Sequence, residues 1–218
     1  MLPVMRRRTA GAFLLVYALA SCARPSTTTP APESAPAFTP PAEVRWLSRA
    51  AWGAKPAKPP VREHVISRLT IHHTGTAQNV ARSAADKLAG LQAWSQRDDS
   101  LAGGQKKPAW PDMPYHYYVA VDGTVAEGRE WKYVGDTNTE YDPTGHLLVV
   151  IEGSFDRDTL TTAQRRAMDA LVPALARHFR IPAERLATHR DYSARTSCPG
   201  ANVTAEIPRW QGLIAAAR

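Results

Sequence analysis

Five consecutive apolar residues, Leu147-Leu148-Val149-Val150-Ile151, constrain the fold more than any other stretch of this chain. The run has strand length and shows no polar alternation, which is the pattern of a strand buried on both faces. Such a strand needs a layer on each side of its sheet. Helical material is available for this: Ala81 to about Gln96 carries Leu88, Leu91 and Trp94 at helical spacing. A second helix starts at Thr161 or Thr162, where Thr161 and Gln164 have capping-box spacing. It places Met168, Leu171, Val172, Leu175 and Phe179 on one face, and Pro173 is expected to bend it. Leu69 to His73 reads as a short strand. His116 to Val121 and Thr124 to Glu127 flank the turn pair Asp122-Gly123, a hairpin signal. The expected fold is α/β, a single domain with a central mixed sheet flanked by helices.

That domain does not occupy the whole chain. Arg6, Arg7 and Arg8 precede an apolar run from Ala10 to Ala20, which has the length of an export signal and is too short for a stable bilayer span. The run ends Leu19-Ala20-Ser21-Cys22, similar to a bacterial lipobox, so residues 1–21 are expected to be a lipoprotein signal peptide and Cys22 the lipidated N-terminus. Ala23 after the cysteine points to the outer membrane, facing the periplasm. Residues 22–43 hold six prolines among Ser, Thr and Ala, a composition expected to form a disordered tether. The folded domain is then residues 44–218, long enough for its own core and without a visible repeat.

Three of the seven net positive charges lie in the signal, which leaves the mature chain at +4. A mild positive charge suits an anionic envelope polymer. There is no Lys/Arg run interleaved with aromatics, and nucleic acid is not an expected partner.

With Cys22 lipidated, the mature chain has a single thiol, Cys198, in an oxidising compartment, and no internal disulfide can form. Metal ligation gives that thiol a use. His72 or His73, His189 and Cys198 lie on separate segments. Two imidazoles and a thiolate are zinc ligands, and three protein ligands leave a coordination position for water, as catalytic sites do. Adjacent strand residues point to opposite faces, so only one of His72 and His73 can normally reach a given ion, and periodicity does not say which.

Seven motifs run in order through most of the domain: Leu47-Ser48-Arg49-Ala50-Ala51-Trp52-Gly53-Ala54, Ile71-His72-His73-Thr74, Pro114-Tyr115-His116-Tyr117-Tyr118-Val119, Asp122-Gly123-Thr124 with Glu127-Gly128-Arg129, Glu152-Gly153-Ser154-Phe155, Thr188-His189-Arg190-Asp191 and Ser197-Cys198-Pro199-Gly200. In these the chain resembles the zinc-dependent N-acetylmuramoyl-L-alanine amidases of the type 2 amidase and peptidoglycan recognition protein superfamily. The resemblance implies one zinc ion held by His72, His189 and Cys198. It implies His73 in the substrate groove and Tyr115 and Thr196 as catalytic groups. It implies peptidoglycan or muropeptides as substrate, cleaved between N-acetylmuramic acid and L-alanine; separately from the resemblance, the chain is expected to be a monomer.

Two departures accompany the likeness. The interval from His189 to Cys198 is one residue longer than in many relatives, leaving Arg195 as an alternative to Thr196. Where many relatives have a Gly-Ala-His segment, this chain has Gly135-Asp136-Thr137. For the proton needed by the leaving amine, Glu152 and Asp191 are candidates by type. The Gly-, Lys- and Pro-containing stretch from Gly103 to Asp112 is expected to be a surface loop rather than a lid. Two other functions compete. One is a recognition module that binds peptidoglycan without cutting it, a role whose bearers typically lack the metal cysteine. The other is a cysteine hydrolase, which Pro199 directly after the thiol disfavours.

Overall fold

The computed structural model describes residues 37–101 and 104–217; the signal segment, Cys22 and most of the tether lie outside them. In chain order the elements are β1 (Trp46–Leu47), β2 (Arg68–His73), α1 (Ala84–Ser95), β3 (Asp99–Ser100), β4 (Lys106–Lys107), β5 (Tyr117–Val119), β6 (Val125–Glu127), β7 (His146–Ile151), α2 (Thr162–His178), β8 (Leu186–Thr188), α3 (Ala201–Thr204) and α4 (Ile207–Ala216). Six strands form one mixed sheet in the order β1-β6-β5-β7-β2-β8, and β3 and β4 pair separately. The hairpin at Asp122-Gly123 joins antiparallel β5 and β6, while β7 is parallel to both β5 and β2. The expected central mixed sheet flanked by helices is the observed architecture.

Every residue of β7 is buried, because the strand lies between β5 and β2 with helices on both faces. On one face Leu69, Ile71, Leu147, Val149 and Ile151 pack with Met168, Leu171, Val172 and Leu175 of α2 and Trp210 and Ile214 of α4. On the other face Val150 and Tyr118 pack with Leu88 of α1, Met113 and Trp52. Each such aliphatic side chain contributes about 1.5–3 kcal/mol on burial. The capping box at the start of α2 forms as its spacing predicts: Thr161 accepts from the Gln164 N–H, and Gln164 accepts from the Thr161 N–H. The helix runs on through Pro173 to His178. Helix α1 starts at Ala84, three residues later than its periodicity indicates, because Ser83 takes the N-cap position and accepts from the Asp86 N–H.

The compact unit also starts earlier than residue 44. Phe38 packs on Trp46, Tyr117 and His178 with ring centroids 5.4–5.8 Å apart, so the end of the stretch assigned to the tether belongs to the core cluster. One large aromatic among small and proline residues is enough to attach it.

Candidate metal centre

The strand alternation that left His72 and His73 open is settled by the layers. Leu69 and Ile71 face α2, so His72 points with Thr70 to the side of α1, where it is 2 % exposed. His73 ends the strand half-buried. Its Nδ1 accepts from the Phe155 N–H, and its ring stacks on Phe155. His189 follows β8 directly, at the first residue of a 3-10 turn fixed by Asp191, whose carboxylate accepts from the Thr188 N–H and hydroxyl. Cys198 lies in the turn before α3. The Arg190 N–H donates to the Cys198 carbonyl and ties the two ligand segments together. Gly200, at φ +90°, closes this turn against Phe155 and Asp156, where a side chain has neither an allowed backbone nor room.

These elements bring His72, His189 and Cys198 together, with their ligand atoms all within 4.8 Å of one another. The Cys198 sulfur is 3.7 Å from His72 Nδ1. A tetrahedral zinc ion with Zn–S of about 2.3 Å and Zn–N of about 2.0–2.1 Å sets such a pair about 3.6 Å apart, so the residues fit the ion. Protonation also fits. Burial, then the nearby His189, holds His72 well below the ordinary imidazole pKa, and burial brings His189 down to about 4. Both rings are neutral at pH 7 with lone pairs to give. Without a metal, burial pushes the Cys198 thiol up to about 12, partly offset by the His73 N–H, which donates to the sulfur. A thiol so protonated is a poor free nucleophile, and it sits ahead of α3 rather than on its first turn. Both features count against the cysteine-hydrolase alternative.

The triad lines a cavity of about 310 Å³ that Tyr115, Thr196 and His73 also line. The rings of Tyr115 and His72 are 5.3 Å apart. Burial, then the charge of Cys198, raises the Tyr115 phenol above its ordinary pKa, so it remains a hydrogen-bond donor at neutral pH. The Thr196 hydroxyl accepts from the Cys198 N–H at 3.0 Å, the local backbone bond typical of a turn threonine, and keeps its own O–H to give. Arg195 is exposed and absent from the cavity lining, so Thr196 rather than Arg195 occupies the position beside the triad.

Glu152 and Asp191 do not reach the cavity. Glu152 is buried against Lys87 and accepts from the Asn79 and Val121 N–H groups, while Asp191 is spent on the turn beneath His189. Conversely, Thr139 is a contact that motif reading missed. Its hydroxyl is 2.7 Å from His189 Nε2, with Thr137 at 3.5 Å, a contact that orients the ring. Only the departure at Gly135-Asp136-Thr137 hinted at it.

A family model described as N-acetylmuramoyl-L-alanine amidase (Amidase_2) matches residues 62–201. The chain belongs to that family. Members similar to it include peptidoglycan-recognition protein SC1a/b of Drosophila simulans, 32 % identical over 167 residues that cover 75 % of this chain and 84 % of the relative. An N-acetylmuramoyl-L-alanine amidase of Homo sapiens is 26 % identical over 156 residues, covering 70 % of this chain and 26 % of the longer relative. Among solved structures, the complex of peptidoglycan recognition proteins LCa and LCx bound to tracheal cytotoxin aligns at 27 % identity with a TM-score of 0.61, over 76 % of this chain and 95 % of the other. This Amidase_2 member thus has both recognition proteins and amidases among its relatives.

Proposed function

We propose that this chain is a zinc-dependent N-acetylmuramoyl-L-alanine amidase, a peptidoglycan hydrolase that uses water to cut the amide between N-acetylmuramic acid and the L-alanine of the stem peptide. The observation that carries the reading is the His72, His189 and Cys198 triad, spaced for zinc and with both imidazoles neutral, at a cavity of substrate size. The thiol's placement beside two neutral imidazoles, rather than its burial alone, favours a metal ligand over a packing residue. Bound zinc supplies a Lewis acid and lowers the pKa of a water toward about 7.

The chain's own residues do the rest. The Tyr115 phenol, held protonated, donates a hydrogen bond to the amide oxygen as it gains negative charge. The free O–H of Thr196 donates into the same cavity, and its lone pair keeps Cys198 in place through the main chain. His73, at the strand end, contacts substrate, and Thr139 holds the His189 ring in one orientation.

The export signal and the Leu19-Ala20-Ser21-Cys22 run support a further proposal of location: a monomer anchored by lipid at Cys22 to the outer membrane, facing the periplasm. Among the described residues no helix is long and apolar enough to cross a membrane.

The test is incubation of the purified protein with sacculi or muropeptides, with assay for newly exposed N-terminal L-alanine. Release is expected, lost on chelation and restored by zinc. Tight sacculus binding with no release under zinc contradicts the amidase and favours the recognition module.

A further inference from the structure

We propose that Glu152 is a positioning residue: through Lys87 and Asn79 it holds residues 75–83 and helix α1 in place as one wall of the cavity over the metal triad. The reaction that this wall serves is taken from the amidase reading, while the contacts that build it involve no metal ligand.

The cavity is lined from both ends of one connection. His72, His73, Thr74 and Gly75 line it where β2 ends, and Leu91 lines it from α1. Residues 75–83 join the two. None of them is buried, and Val80 is 85 % exposed, so apolar packing does not hold this segment. Helix α1 itself buries one large apolar side chain, Leu88, beside Gln92 and Ser95. The fastening of the segment is polar and comes from the chain that follows β7. The Gly75 N–H donates to the Gly153 carbonyl at 3.0 Å. Gln78 Nε2 donates to the Thr159 carbonyl and to Gln164 Oε1, each at 3.0 Å.

Glu152 is the centre of this set. Its buried carboxylate accepts from the Asn79 N–H at 3.1 Å through one oxygen and from the Val121 N–H at 3.3 Å through the other. Lys87 Nζ lies 2.8 and 2.9 Å from the same two oxygens and also donates to the Asn79 carbonyl. Both main-chain groups of Asn79 are therefore gripped by the two members of one ion pair. Lys87 stands one helical turn before Leu91, so helix, segment and the end of β7 are tied at a single point. Such a buried pair adds little net stability, because desolvation offsets the attraction, but breaking it leaves a charge buried without its partner. What it fixes here is the spacing between α1 and the strand that carries His72 and His73. Glu152 is absent from the cavity lining and reaches substrate only through this wall.

Lys87→Met tests the tie while sparing both N–H bonds to Glu152. Amide exchange is expected to speed up in residues 75–95 and to stay slow in β2 and β7. KM for a muropeptide is expected to rise about tenfold, with kcat and zinc content held. Lys87→Arg keeps the cation and restores both readouts most of the way. Glu152→Gln raises KM as Lys87→Met does, and the double variant adds little to either, as befits two partners of one contact. If Glu152→Gln does not fold, the two Lys87 variants decide. Faster exchange throughout the domain with KM unchanged marks a pair that serves stability alone and overturns the proposal, as does local exchange without a change in KM. If the wild type hydrolyses no muropeptide, the amidase reading fails by itself. The Kd of the muropeptide, measured by calorimetry for wild type and Lys87→Met, then takes the place of KM.

Discussion

Cys198→Ser is expected to leave the fold standing while removing both metal and turnover. The serine hydroxyl fits the thiol's buried position and can accept the same His73 N–H bond, so the turn closed by Gly200 is preserved. It does not ionise as a thiolate does, and two neutral histidines remain as the only ligands. Bound zinc falls from about one ion per chain to a small fraction under equal free metal. Hydrolysis falls on the order of 10⁴-fold, about 5.5 kcal/mol of transition-state stabilisation. Zinc add-back rescues the chelated wild type and not the variant.

A proton count accompanies this. The thiol, pushed up to about 12, must lose its proton to bind, whereas His72 and His189 are already neutral at pH 7. Zinc affinity is therefore expected to rise about tenfold per pH unit across neutrality, with one ligand proton released per ion, measurable by calorimetry in buffers of different ionisation enthalpy. Chelator-insensitive activity lost in Cys198→Ser contradicts the metal role and makes the thiol a nucleophile.

Tyr115→Phe separates chemistry from metal binding. The ring stays, so its contact with His72 and the packing near Met113 are kept. Only the O–H is lost. If that donor serves the developing oxyanion, kcat drops about 10²–10³-fold, some 3–4 kcal/mol, with KM and zinc content little changed. A rate near wild type removes Tyr115 from the mechanism; loss of zinc makes it a structural support of His72 instead.

The layered fold was legible because local signals agreed with one another. The unbroken apolar run became β7, the 3.6-residue stripe became α2 with its capping box, and Asp-Gly became the β5 to β6 turn. The metal residues were legible as types, yet the choice between His72 and His73 needed the helix layers, because a strand buried on both faces has no outside to mark its register. What depended on distant pairing was not legible. Thr139 and His189 meet across fifty residues of chain, with no local pattern to announce it. Glu152 and Asp191 had the right chemistry for proton transfer and were drawn into a lysine pair and a turn cap. Lys107 reads as a surface charge in any sequence, since lysine is almost never fully buried; only the rings of Trp94 and Trp110 and the carbonyls of Ser95, Arg97 and Pro108 around it account for its position.

X-ray absorption at the zinc edge of the loaded protein tests the centre most directly. A shell with one sulfur at about 2.3 Å, two imidazole nitrogens at about 2.0–2.1 Å and one further light atom is the expected result. A shell without sulfur, or one unchanged in Cys198→Ser, contradicts the His72, His189 and Cys198 site and the hydrolysis built on it.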